Sequence, residues 1–148
     1  MKFSISCNSM KLEFNGIEFY SILRSIRSIE NSDTCLIIYD VERGFDSQVQ
    51  NIFWLAQRNH KGVVILVNKW DLIEKDTDTT KEFEEKIRNK LAPFKDVPII
   101  FTSALTKQRI HKALETAVKV FENRRLRIST SKLNDYLLEV VGETPPPS

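Results

Sequence analysis

Three short apolar runs alternate with amphipathic segments along this chain, and that alternation constrains the fold more than any other feature. The runs are Thr34–Val41 (TCLIIYDV), Gly62–Val67 (GVVILV) and Val97–Phe101 (VPIIF). They are rich in β-formers and apolar at consecutive positions. A strand reads this way when both of its faces are buried, as in a parallel sheet covered by helices. Around them the apolar spacing changes to that of a helix face. Glu18–Asn31 carries Phe19, Ile22, Leu23, Ile26 and Ile29 on one side. Asp46–Arg58 does the same with Val49, Ile52, Phe53 and Ala56, and Asp46 suits the N-cap. Thr79 or Thr80 can cap a charged helix running to about Leu91, where Pro93 stops it. Thr106–Leu126 predicts a long helix with a core stripe of Ile110, Leu114, Ala117, Val118 and Phe121. Ser131–Val141 predicts one more short helix, and the proline-rich tail Thr144–Ser148 a linker or disordered end.

This order predicts an α/β fold with three parallel, adjacent strands joined by right-handed crossovers. Ligands in such sheets bind at the carboxyl ends of the strands. Functional residues are therefore expected just after Val67 and Phe101. The length, 148 residues, suits one domain, and 41% hydrophobic with 28% charged residues is the composition of a soluble globular protein. No apolar run is long enough to span a membrane, and Met1–Phe14 has no continuous apolar core of a secretory signal. A cytoplasmic address is expected. Cys7 and Cys35 have no metal-ligand spacing around them and are expected as free thiols. A net charge of +2 is too small to imply nucleic-acid binding by itself.

Both expected loops carry chemistry. Asn68-Lys69-Trp70-Asp71 follows the second strand, and Ser103-Ala104-Leu105 follows the third. The pair resembles the N-K-x-D and S-A-x motifs of the GTPase superfamily. Guanine presents two adjacent donors, N1–H and the N2 amino group, and one carboxylate accepts both in a charge-assisted bidentate pair. Asp71 can do this. Adenine has neither donor, so it would leave that carboxylate desolvated and unpaired. The resemblance implies that Asn68 ties the loop together and faces the N7/O6 edge. It also implies that the Lys69 stem lies over the base and that the Ala104 N–H donates to O6. The alternative for the same residues is a capped polar turn, with Asn68 and Asp71 bonded only to backbone. Trp70, at the variable position, either packs beside the base or shields the loop.

The likeness extends beyond the motifs. FYSILRSIRSIENSD, VERGFDSQVQNIFWLAQRNHKG, VILVNKWDL, KEFEEKIRNKLAPFKDVPIIFTSALTKQRI and ENRRLRISTSKLNDYL, read in order, resemble the second G domain of the Der (EngA) GTPases over roughly residues 17–147. Members of that family have two tandem G domains and a C-terminal KH-like domain, bind GTP and GDP with Mg²⁺, and act in large ribosomal subunit assembly. The resemblance implies a partial P-loop GTPase fold, divided into an unmatched segment 1–16, a partial G domain 17–128 and a linker 129–148 toward a KH-like domain. It implies guanine nucleotide and the large subunit or its rRNA as partners, and no membrane.

The chain departs from the family in its phosphate half. There is no G-x-x-x-x-G-K-[ST], and none of Gly16, Gly44, Gly62 and Gly142 sits in a phosphate loop. There is no D-x-x-G to place Mg²⁺; Asp40 is followed by glycine only at Gly44 and is read as structural. Guanine recognition is thus expected without a phosphate site or an Mg²⁺ ligand, and GTP hydrolysis by this chain alone is expected to be negligible. Without the first half of the domain, the strand at Thr34–Val41 is expected to present a bare edge. Residues 1–15 do not resemble the family. Alternation at Lys2–Ser6 and Lys11–Phe14 permits a hairpin covering that edge, but an unstructured leader is the simpler expectation.

The other polar residues have modest readings. His60 suits a helix C-terminus and His111 a surface. Lys119, Arg124, Arg125, Arg127 and Lys132 form a basic cluster. Solvated charge is its plain reading, and a non-enzymatic RNA or ribosome contact its functional alternative.

Overall fold

The structure, a computed structural model, describes residues 2–7, 24, 26–73 and 78–143. Its centre is a four-stranded, wholly parallel sheet in the order β1-β2-β3-β4. The strands are β1 (Phe3–Cys7), β2 (Thr34–Asp40), β3 (Gly62–Asn68) and β4 (Ile99–Phe101). The helices are α1, described as helical over 26–30, α2 (Ser47–Arg58), α3 (Thr79–Leu91), α4 (Ile110–Arg125) and α5 (Thr130–Glu143).

The consecutive apolar residues of β2 and β3 serve two cores, because neighbouring side chains on a strand point to opposite faces. Cys35, Ile37, Tyr39, Val63, Ile65 and Val67 meet Val49, Phe53 and Ala56 of α2 and Ile87 and Leu91 of α3. Leu36, Val64 and Leu66 meet Ala113 and Ala117 of α4 on the other face. The close approach of α4 depends on Gly62, where an added Cβ would stand 2.7 Å from Val120 Cγ1. Asp46 caps α2 as its sequence suggests, its Oδ1 accepting from the Val49 N–H at 2.9 Å.

Several expectations are corrected. The edge of β2 is not bare, for β1 pairs with it in parallel from Phe3↔Thr34 to Cys7↔Ile38. Residues 3–7 are a parallel strand that covers this edge, so the expectation of an unstructured leader is corrected for them. The join is reinforced where the Asp33 N–H donates to the Lys2 carbonyl and the Lys2 N–H to Asp33 Oδ2. The proposed second hairpin arm, Lys11–Phe14, lies outside the described residues, as do Phe19, Ile22, Leu23 and the tail Thr144–Ser148.

β4 begins at Ile99 rather than Val97, since Pro98 has no N–H to give the ladder; its carbonyl accepts from Ile65. Neither Thr79 nor Thr80 caps α3. Asp78 holds the N-cap position without a side-chain cap bond and pairs instead with Lys81 at 3.3 Å.

α4 starts at Ile110, four residues later than the apolar period suggests. Ser103 and Gln108 bridge across the intervening turn, and Lys107 and Arg109 adopt left-handed backbone. Its core stripe is also displaced. Ala113 and Ala117 face the sheet, whereas Leu114 is 51% exposed and Ile110 and Val118 are also exposed. On α5, Leu133, Tyr136, Leu137 and Leu138 are exposed.

Candidate guanine site

The site forms where β2, β3 and β4 end side by side. The parallel register places Asp40 opposite Asn68, and Val67 opposite Phe101. The loops that leave these strands are laced by backbone bonds. The Thr102 N–H donates to the Val67 carbonyl at 2.7 Å, the Trp70 N–H to the Thr102 carbonyl at 3.1 Å, and the Val41 N–H to the Asn68 carbonyl at 3.0 Å.

After Asn68 the chain turns sharply. Lys69 takes left-handed backbone (φ 61), and Trp70–Leu72 form one turn of 3₁₀ helix. A non-glycine residue in this region carries strain that its surroundings must hold, and such residues gather at functional loops. The turn is anchored from beneath. Trp70 is buried in the core, its ring 4.3 Å from that of Phe101 and edge-on to Phe83 at 5.4 Å between centroids. It supports the loop from the core side.

Asn68 joins the two loops: its Oδ1 accepts the Ala104 N–H at 3.1 Å. That donor, assigned to the base O6 by resemblance, is directed at Asn68 here. Ser103 is fully buried, and its Oγ accepts from the Thr106 N–H at 3.1 Å. Its backbone exchanges bonds with Gln108 at 3.3 and 3.0 Å, closing the turn that presents Ala104 and Leu105. Leu105 is 84% exposed, at the rim.

Asp71 is half-buried, and its Oδ1 is inaccessible to solvent with no hydrogen-bond partner among the described residues. A buried carboxylate oxygen without a donor costs the full desolvation of that atom. Asn68 Oδ1 bonds to backbone as the capped-turn reading expects, whereas Asp71 Oδ1 lacks the backbone N–H that reading would give it. A guanine edge supplies the kind of donor it lacks.

Two residues that sequence reasoning had not placed in the site belong to its margin. Lys69 Nζ lies 3.1 Å from Asp40 Oδ2 and 3.4 Å from Glu42 Oε2. Hydrogen bonds to Asp40, then to Glu42, hold the Lys69 pKa above its ordinary value. The facing of Asp40 and Asn68 across two parallel strands is the signal that could have found this contact. Among the described residues, no three His, Cys, Asp or Glu side chains gather into a metal cluster.

Elsewhere, Arg124 donates to the His60 carbonyl at 2.8 Å and to Asp33 Oδ1 at 3.3 Å, and Arg125 lies 5.3 Å from the Phe121 ring centroid. Cys35 is a buried free thiol beside Ser32 Oγ at 3.3 Å, and burial raises its pKa. No described helix is long and apolar enough to cross a membrane.

A parallel sheet with helices on both faces and these two clamped loops at its carboxyl edge define the class, an α/β domain of the P-loop GTPase fold. The chain belongs to the family of the elongation factor Tu GTP binding domain, whose model matches residues 20–123. It is also similar to GTPase Der of Christiangramia forsetii, with 62% identity over 133 residues, covering 90% of this chain and 31% of that protein. Similarity to GTPase Der of Flavobacterium johnsoniae is 62% over 132 residues, 89% of this chain and 30% of that protein. The chain thus spans less than a third of the length of these relatives.

Among solved structures, Era in complex with MgGDPNP and nucleotides 1506–1542 of 16S ribosomal RNA superposes with a TM-score of 0.63 at 20% identity, over 75% of this chain and 36% of that one. Translation elongation factor SelB from Methanococcus maripaludis gives 0.61 at 18% identity, over 74% of this chain and 25% of that one. These two share the fold.

Proposed function

We propose that this chain is the guanine-recognising part of a Der-type GTPase that acts in the cytoplasm in assembly of the large ribosomal subunit. Asp71 accepts N1–H and N2–H of the base. Asn68 holds the Asp71 loop against Ser103, Ala104 and Leu105, and the Lys69 stem covers the base. The observation that carries this reading is the buried, unpartnered Oδ1 of Asp71 on a loop tied to the β4–α4 turn by Asn68 and by the Trp70 N–H. The phosphates and Mg²⁺ are not held by this chain, so it does not hydrolyse GTP alone.

A titration with GDP, and in parallel with ADP, followed by tryptophan fluorescence tests the proposal. Trp70 packs directly beneath the loop, and Trp54→Phe removes the other tryptophan signal. A saturable response to GDP alone, absent in Asp71→Ala, is expected. Equal responses to GDP and ADP would sink the assignment.

Ribosomal RNA, which the Era structure holds, is the partner class proposed for this chain. Lys119, Arg127 and Lys132 are exposed and can meet it, whereas Arg124 is engaged within the fold. Binding through them would weaken steeply with salt and would be indifferent to Asp71→Ala.

A further inference from the structure

Resting on the base-recognition reading above, we infer that Asp40 is a positioning residue for the base: it anchors Lys69 Nζ across the sheet, so that the lysine stem is held as one wall of the base site. β2 and β3 run parallel with Asp40 opposite Asn68, so the last residue of β2 faces the residue just before Lys69. The backbone pairing goes one step further, for the Val41 N–H donates to the Asn68 carbonyl at 3.0 Å. The two chain segments that carry the pair are thereby fixed relative to each other. Lys69 takes left-handed backbone at φ 61, and its Nζ reaches back over the end of β2 to Asp40 Oδ2 at 3.1 Å. Neighbouring strands lie about 4.8 Å apart. The lysine stem spans that step, at the edge of the sheet where the Trp70–Leu72 turn carries Asp71.

A lysine stem is long and rich in rotamers, and ordering it at the moment of binding subtracts from affinity. A holder within the protein removes that loss. Of the two carboxylates that meet Lys69, Asp40 is the better holder. It is the nearer, at 3.1 Å against 3.4 Å for Glu42, and it is 28% exposed against 59%. It also stands on β2 itself, whereas Glu42 lies in the turn that follows. Hydrogen bonds to Asp40 first, then to Glu42, raise the lysine pKa, so the held group stays an ammonium. An ion pair this exposed adds little to folding stability. Its effect falls on where the stem points. Selectivity for guanine over adenine stays with Asp71, because a stem lying over a ring face reads no donor or acceptor.

The test is a double-mutant cycle on the full chain, titrated with GDP and, as the base control, ADP, at about 0.15 M salt to screen distant charges. Asp40→Asn keeps the size of the side chain and removes its charge. Lys69→Met keeps most of the stem and removes the ammonium. In the parent chain Asp40→Asn is expected to weaken GDP about two- to fivefold, with the melting temperature and the selectivity over ADP unchanged. Glu42→Gln is expected to weaken it less. In the Lys69→Met chain Asp40→Asn is expected to bring no loss, since its effect passes through the ammonium. With GDP bound, the base is expected to shift the Lys69 methylene protons upfield, and less so in Asp40→Asn. A loss as large in the Lys69→Met chain as in the parent, no loss in the parent, or methylene shifts that are the same in both would overturn this inference and leave base recognition standing. Equal binding of GDP and ADP by the parent, or binding of neither, would overturn both.

Discussion

Asp71 and Asn68 sit three residues apart and have opposite relations to stability. The Asp71 Oδ1 is buried without a donor, so the folded chain carries its desolvation uncompensated. Asp71→Ala is expected to leave the melting temperature unchanged, or to raise stability by about 1 kcal/mol, while guanine affinity falls at least ~100-fold. Asn68 joins two loops through the Ala104 N–H, and Asn68→Ala is expected to cost about 1 kcal/mol as well as the base response. Thermal unfolding and nucleotide titration on both variants check the pair. If both lose stability alike, Asp71 is a structural cap. Asp33 has the more ordinary relation. The Lys2 N–H, helped by Arg124, holds its pKa below 3.8, so the folded state favours the ionised form. Its stabilisation is present above pH 3.8 and is lost as pH falls through the lower folded value. The difference in melting temperature between the parent and Asp33→Asn should therefore close with acidification; a difference that persists through the acid limb would contradict this.

At the scale of elements, α4 shows where a sequence pattern runs out. Ile110, Ala113, Leu114, Ala117, Val118, Val120 and Phe121 together make an apolar arc wider than one contact surface. The large residues suggest the stripe, but the sheet takes the side bearing Ala113 and Ala117, because small side chains let the helix lie close over Gly62. Ala117→Leu is accordingly expected to cost about 1–3 kcal/mol by overpacking. Leu114→Ser should change stability by less than about 0.5 kcal/mol. Denaturant unfolding of the two variants checks this, and the reverse ranking would restore the stripe read from the sequence. The buried strands β2 and β3 were legible because parallel strands are apolar on both faces. The two motif loops were legible because each follows such a strand. Asp40 and Glu42 were not, since they reach Lys69 across the sheet, and that proximity exists only once strand register is known.

At the scale of the whole molecule, the strand Phe3–Cys7 lies along the β2 edge of the sheet. β2 is buried along almost its entire length, and β1 occupies the edge that would otherwise expose its backbone. Nothing in the alternation of residues 1–15 distinguished a parallel strand from a hairpin arm, because pairing direction depends on where the following chain runs. Deleting residues 2–7 is expected to promote association. Size-exclusion chromatography with light scattering would show it, and a monomer of unchanged stability would mean that β1 contributes little.

The spatial order of the strands also repeats their order in the chain. During synthesis the amino-terminal part leaves the ribosome first, at about 5–20 residues per second. Among the described strands, each new one can therefore be laid against the strand made just before it. The sheet can be built by addition alone, in the direction of translation.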